Sequence, residues 1–365
     1  TPSEQFVFRS YVEQYRQTAV DSLWGANVTT FAKTSNAPID VTVSQQIKDK
    51  INTGVSWITF FGHSATGAFD FSIDEPENYT NYGKYPIMLS NGCFSGFIHD
   101  ATPGYSERFV LEPDKGMIAF MATSSLSVSS GLDNFSRKLY ASVCQKQYNQ
   151  PLGIAFKQTL KDVFADPQVS DFSLEIAYEM TLHGDPGLKP NQYPKPDYAV
   201  DASSVYTNPA TITPGTNTFD VNLVVTNLGK CSVDDTIGGG KVRSKINVNL
   251  KRTVFDSNNN PVYYYYQKTV RAPFFRDTVT FTVPVMVSSQ LGYGQNLFEP
   301  YVDAGYQIDE MAECNNGLTA PFTTYIQNDD IIPIYPYEFA IVPHQGVVLK
   351  ASTINPLAPL RPYRL

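Results

Sequence analysis

The sequence has few positive charges and no cluster of them. Of its 365 residues, 27 are Lys or Arg and 35 are Asp or Glu, which gives a net charge of −8. Proteins that bind nucleic acids usually carry a basic patch, so we expect no nucleic-acid partner. The sequence also lacks any run of ~18 apolar residues, and we therefore expect no membrane span.

Cysteine is scarce, with four residues, and none are spaced as C-x-x-C. This excludes a disulfide scaffold and common metal sites, so we expect no cofactor.

One loop contains four acidic residues: Asp70, Asp74, Glu75 and Glu77. This loop could bind a structural Ca²⁺ ion, orient a neighbouring side chain or simply be solvated. Cys231 and Cys314 could form a disulfide or remain free thiols.

The remaining composition indicates a secreted or cell-surface protein. Lys and Arg are few, whereas Asn, Thr and Pro are plentiful and Tyr and Phe number 23 each. Thr1 is not a natural start, so we expect this sequence to be a piece of a longer or processed protein.

Up to residue 190, helical and strand patterns alternate. The predicted helices span residues 6–23, 44–52 (with Ser44 as its cap), 133–147, 152–165 and 172–182. The predicted strands span residues 28–32, 55–61, 87–90 and 116–122. Apolar strands that alternate with helices indicate an α/β domain with a parallel sheet and flanking helices.

The pattern changes after a linker at residues 191–197, which contains two Pro in three residues. Short alternating runs separated by turn signals predict an antiparallel β-sandwich over residues 198–325. Residues 326–365 read as the truncated start of a further β region.

Two blocks in the first domain carry candidate chemistry. Each is an apolar strand that ends in Gly and then a reactive side chain, His63 in one and Cys93 in the other. Sites in such sheets form beyond the carboxyl ends of the strands, so neighbouring strands would bring the two side chains together. A thiol beside an imidazole can perform acyl transfer, with nearby backbone N–H groups holding the oxyanion.

Other interpretations of these residues remain open. Cys93 could be a small buried apolar residue and His63 a hydrogen-bonded polar one, which would leave a non-enzymatic surface protein. The run Gly62-His-Ser64-Ala-Thr66 resembles the nucleophile elbow of serine hydrolases, although Thr66 replaces its last Gly and a loop follows instead of a helix.

Residues 6–190 also resemble the gingipain-like cysteine peptidases, which share a caspase-like core. Five blocks in the same order carry the resemblance: Lys33–Asp40, Gly54–His63, Ser90-Asn-Gly-Cys93, Gly116–Ser124 and Leu182-His-Gly-Asp-Pro186. The resemblance implies a cysteine endopeptidase that acts on proteins or peptides through a dyad of His63 and Cys93 and a thioacyl-enzyme intermediate. It implies that the Ser64 and Cys93 backbone amides bind the oxyanion, and that Asn91, Ser124 and Ser125 bind substrate.

The sequence departs from this family at two places. Ser64 stands where Gly usually follows the His. The acidic residue that selects Arg in some members would fall near residues 3–8, where Glu4 is the only acid. We therefore expect no strong preference for Arg.

The second domain resembles adhesion-type immunoglobulin-like modules of bacterial surface proteins. The residues that carry this resemblance are Pro300–Glu310 and the pair Asn315-Asn316. The combination with a peptidase core implies a protein exported by the type IX secretion pathway to the outside of the outer membrane. Its partners would then include other secretion-system or surface proteins.

Overall fold

The computed structural model describes residues 2–33, 41–66, 68–69, 73, 75–99, 102–213, 215–236, 240–288, 291–327 and 331–353. The chain divides into two compact units, Thr1–Pro194 and Lys195–Leu365. Among the described residues, no helix is both long and apolar enough to cross a membrane.

The first unit is a mixed α/β structure. Its elements are α1 (Pro2–Val20), α2 (Val41–Thr53), β1 (Trp57–Phe61), β2 (Ser64–Ala65), β3 (Ala68–Phe69), β4 (Ile87–Asn91), α3 (Tyr105–Leu111), β5 (Ala119–Thr123), α4 (Ser129–Ala141), α5 (Leu152–Phe164), α6 (Asp171–Glu179) and β6 (Met180–Gly184). The main sheet has the order β1-β4-β5-β6, and β2 and β3 form a separate hairpin. Strands β1, β4 and β5 run parallel, whereas β6 is antiparallel to β5.

Side-chain alternation in the central strands builds a core on each face of this sheet. In β4, Ile87 and Leu89 join one apolar cluster, which includes Tyr15 of α1 and residues of α4, α5 and α6. Met88, between them, joins the other cluster, together with Ile51 of α2 and residues of α3. Strands buried on both faces need apolar residues at every position, which explains their continuous apolar runs.

Several sequence-based expectations for this unit are wrong. Residues 180–184 form a strand, although residues 172–182 were expected to be one helix, so the sheet is mixed and not fully parallel. Residues 28–32 have no strand pairing among the described residues. Ser44 lies inside α2 and does not cap it.

The second unit is built from antiparallel strands. They are β7 (Tyr198–Ala199), β8 (Val205–Asn208), β9 (Thr218–Asn227), β10 (Val233–Asp235), β11 (Lys241–Arg243), β12 (Lys245–Phe255), β13 (Pro261–Arg271), β14 (Arg276–Pro284), β15 (Gly294–Val302), β16 (Phe322–Ile326), β17 (Ile331–Tyr335) and β18 (Lys350–Thr353). One sheet has the order β13-β12-β15-β16 and another β14-β9-β7, with β8 also paired to β9. Inward-facing residues of both sheets form one apolar cluster.

A buried arginine lies within this second unit. Arg252 is 0% exposed, and its guanidinium donates to Asn296 Oδ1 at 2.8 Å and to the carbonyl oxygens of Val285, at 3.0 Å, and Pro284. The guanidinium therefore connects the carbonyl groups at the end of β14 with Asn296 of β15. The cysteines of this unit, Cys231 and Cys314, are both free thiols, so the suggested disulfide does not form.

Candidate active site

His63 and Cys93 follow two adjacent parallel strands. Strand β1 pairs with β4 so that Phe61 lies opposite Asn91, and each candidate residue lies two positions beyond that last pair. Because parallel strands end at the same edge of a sheet, both loops start from one edge. The sheet register therefore places the two loops side by side.

The two loops also contact each other directly. Gly62 N donates to Asn91 O at 3.1 Å, and the Ser64 hydroxyl donates to Cys93 O at 2.7 Å. Ser64 is the first residue of a short hairpin and is not at a strand-to-helix turn. The nucleophile elbow of serine hydrolases requires such a turn, so this geometry removes the support for Ser64 as a nucleophile.

The loop that follows β5 borders Cys93. Cys93 is half-buried, and its Sγ lies 3.8 Å from the carbonyl oxygen of Ser127. Phe94 N donates to Ser125 O at 2.9 Å, and Thr123 Oγ1 donates to Gly92 O at 2.9 Å. Three strand ends therefore build the surroundings of the thiol.

Helix α1 supports the candidate imidazole. The His63 side chain is 64% exposed, and its Nε2 lies 3.8 Å from Glu4 Oε1. The Phe8 ring, one helical turn after Glu4, meets the imidazole edge-on at 6.0 Å between ring centroids. Glu4 was considered in the sequence only as a substitute for an Arg-selecting acid, whereas the structure places it next to His63. In the sequence, the signal for this arrangement is the four-residue spacing of Glu4 and Phe8, which places both side chains on one face of α1.

The expected substrate-binding residues lie in different environments. Ser124 and Ser125 are half-buried in the loop after β5, and Ser124 N donates to Glu179 O at 3.1 Å. Asn91 is 0% exposed and its Oδ1 accepts from Ser136 Oγ at 2.7 Å. A fully buried amide is not accessible to a substrate in this conformation.

The acidic loop is partly neutralised by an arginine. Arg108 lies 2.8 Å from Glu75 Oε2 and 3.0 Å from Glu77 Oε1, and its hydrogen bond to Glu77 lowers the pKa of that carboxyl. Asp70 and Asp74 lie outside the described residues. Within the described ranges, no group of three or more His, Cys, Asp or Glu side chains is arranged to hold a metal ion.

A large cavity opens on the outer side of β1. Its volume is about 960 Å³, and α1, α2, β1 and the segment 26–33 line it. Glu4 and His63 lie on its wall, but Cys93 does not. The His63 residue is therefore accessible from this cavity, and Cys93 is not part of its lining.

The other three thiols differ from one another in burial. Burial raises the pKa of Cys231 to about 11 and raises that of Cys144 further. Cys314 is exposed in the second unit. Thiol reagents should thus reach Cys93 and Cys314 most readily, because a buried thiol seldom ionises.

Comparison with protein families identifies the first unit. The model for peptidase family C25 matches residues 1–191, just over half of the chain. This chain belongs to peptidase family C25. Family membership supports a cysteine peptidase, as the order of the sequence blocks predicted. No curated protein matches the chain.

Solved structures that match the chain include gingipain R, described as an Arg-specific cysteine proteinase. It is 14% identical with a TM-score of 0.40, and the match covers 88% of this chain and 61% of the gingipain chain. A complex of the pro- and mature domains of RgpB from Porphyromonas gingivalis gives the same identity and TM-score, with coverage of 88% and 62%. The C25 chain described here thus spans about three fifths of the length of these relatives.

A third structure resembles a smaller part of the chain. It is the CARDB domain of a Pyrococcus furiosus protein, determined in complex with di-metal ions. The identity is 17%, the TM-score is 0.24, and the match covers 37% of this chain and 91% of that domain.

Proposed function

We propose that this C25 chain is a cysteine endopeptidase in which Cys93 is the nucleophile and His63 the general base. The observation that carries the proposal is the parallel pairing of β1 with β4, which starts both loops from one sheet edge and lets Ser64 bond to Cys93 O at 2.7 Å. Membership of a peptidase family supports the same chemistry.

The reaction uses one thiol, one imidazole and two backbone donors. His63 accepts the Cys93 proton, and the thiolate attacks the scissile carbonyl carbon. The backbone amides of Ser64 and Cys93 stabilise the oxyanion. None of the described residues accepts a backbone hydrogen bond from Cys93 N. Collapse of the tetrahedral intermediate releases the amine, which takes the proton from the imidazolium, and leaves a thioacyl-enzyme that water hydrolyses.

Glu4 acts as the positioning residue for His63. Its carboxylate, 3.8 Å from Nε2, stabilises the imidazolium that forms when the thiol proton moves. The Phe8 ring beside the imidazole limits its rotation. Both contacts come from α1, so this helix positions the base.

A protein or peptide substrate binds along the loop after β5. Ser124 and Ser125 lie on this loop, and Leu126 beside them is 65% exposed. An exposed leucine next to polar hydroxyl groups suits the mixed apolar and hydrogen-bonding character of a peptide chain. Asn91 contributes by fixing the end of β4 through Ser136.

The second unit serves as an immunoglobulin-like spacer or docking module. Its two antiparallel sheets around a common core support this part of the proposal. We further propose export to the bacterial cell surface through the type IX pathway, with other secretion-system or surface proteins as partners. The composition and the pairing of a peptidase core with this module support that location.

The test compares purified Cys93→Ala and His63→Ala variants with the parent chain on labelled casein. Each variant should lose at least ~10³-fold of the cleavage rate while keeping the same circular dichroism spectrum. Cys314→Ala, which removes the other accessible thiol, is the matched control and should cleave normally. Equal cleavage by Cys93→Ala would refute the mechanism. A folded parent chain that cleaves nothing would favour the non-enzymatic surface protein.

A further inference from the structure

The peptide group that follows Cys93 is held from both sides. Its carbonyl oxygen, Cys93 O, accepts the Ser64 hydroxyl at 2.7 Å, and its amide, Phe94 N, donates to Ser125 O at 2.9 Å. Ser64 belongs to the loop after β1 and Ser125 to the loop after β5. The peptide plane next to the nucleophile is therefore fixed between the two neighbouring loops.

This peptide group needs such support because Phe94 adopts an unusual backbone conformation. Its φ is 57°, in the left-handed region that a bulky residue seldom occupies. Conformations of this kind persist only where surrounding contacts enforce them. The bonds from Ser64 and to Ser125 are contacts that act directly on the strained peptide.

Gly92 and Ser64 are sterically coupled. A Cβ atom on residue 92 would lie 2.2 Å from Ser64 Oγ and 3.0 Å from both Ser64 Cβ and Gly62 O. The φ of Gly92 is outside the left-handed region, so space and not backbone strain requires glycine here. The Ser64 hydroxyl thus depends on the absence of a side chain at position 92.

We propose that Ser64 is a positioning residue for the nucleophile, clamping the Cys93–Phe94 peptide group through its hydroxyl. The proposal rests on the function proposed above. A glycine after the histidine could not form this bond, so the serine adds a constraint and not merely bulk. By fixing the peptide plane that follows Cys93, the clamp restrains the ψ angle of Cys93 and so keeps its thiol oriented toward a carbonyl group bound between the loops.

The test uses Ser64→Ala, Ser64→Thr and the control Ser10→Ala, which removes a hydroxyl bonded to a carbonyl at the same 2.7 Å on α1. Ser64→Ala should lower kcat on a peptide substrate about 10-fold with KM nearly unchanged, because the nucleophile and not substrate binding is misplaced. Amide exchange at Phe94 should rise about 10-fold. Ser64→Thr should restore most of both values, and Ser10→Ala should change neither.

A double-mutant cycle with Gly92→Ala and Ser64→Gly tests the steric coupling. Gly92→Ala should destabilise the parent chain more than it destabilises Ser64→Gly, in which both serine contacts are gone. The clamp would be refuted if the stability changes of Gly92→Ala and Ser64→Gly were strictly additive. It would also be refuted if Ser64→Ala left kcat and the amide exchange of Phe94 unchanged. The exchange and stability measurements need no turnover, so they judge the clamp even if Cys93→Ala shows that the proposed chemistry is wrong.

Discussion

Glu310 should make the second unit less stable as the pH rises. Its side chain is 5% exposed, and its carboxylate accepts from Tyr198 N at 2.5 Å and from Asn316 Nδ2 at 2.8 Å. Burial, together with the nearby carboxylates Glu313 and Asp303, raises the pKa of Glu310 to about 7 against the lowering effect of the two hydrogen bonds.

The direction follows from which state binds the proton more tightly. The folded chain keeps the Glu310 proton up to about pH 7, whereas an ordinary glutamate loses it near 4.5. The stabilisation from this proton is therefore fully present below about pH 4.5 and is lost as the pH rises through about 7. The gap between the two pKa values corresponds to about 3 kcal/mol in the free energy of unfolding.

Urea unfolding at several pH values between 5 and 8 measures this effect. Tryptophan fluorescence follows the first unit alone, because Trp24 and Trp57 both lie there. The part of the far-UV circular dichroism transition that does not coincide with the fluorescence transition then reports on the second unit. Over this pH range, the free energy of unfolding should fall by up to about 3 kcal/mol more in the parent chain than in Glu310→Gln. The exposed control Glu338→Gln should behave as the parent. The same pH dependence in Glu310→Gln would refute the reasoning.

Two further predictions concern single charged side chains. Glu4→Gln should lower kcat on a peptide substrate about 3- to 10-fold with little change in KM, because the imidazolium of His63 loses its nearby negative charge. A change in KM alone would contradict this prediction. Arg252→Lys should lower the free energy of unfolding by about 2–4 kcal/mol, because an ammonium cannot match the planar set of acceptors around the guanidinium. If the urea midpoint of the second unit does not change, the buried hydrogen bonds of Arg252 do not stabilise this unit.

The sequence predicts the strands at the His63 and Cys93 edge well. Strands β1, β4 and β5 are mostly apolar, and a glycine directly follows each of the two strands that precede His63 and Cys93. Such strands are apolar because both faces of the sheet are buried, so the local sequence is enough to recognise them. The sequence predicts the two loops at one edge only if their strands are neighbours, and the pairing of β1 with β4 shows that they are.

Contacts that depend on long-range packing were not predictable in the same way. Strand β6 directly continues α6, and the apolar pattern of Met180–Leu182 fits either element until pairing with β5 selects a strand. Glu4 comes close to His63 only because α1 packs near β1. The bond from Ser64 to Cys93 O likewise requires the exact path of two loops, which residue types alone do not specify.

The reversed direction of β6 has an electrostatic consequence for the sheet edge that carries Cys93. In a fully parallel sheet, the amino end of a helix would follow each strand at this edge and its partial positive charge would favour a thiolate. Here α6 instead brings its carboxyl end to this edge, where Glu179 O accepts from Ser124 N at 3.1 Å. The carboxyl end of a helix carries a partial negative charge, so α6 makes this side of the sheet edge more favourable for a cation than for an anion.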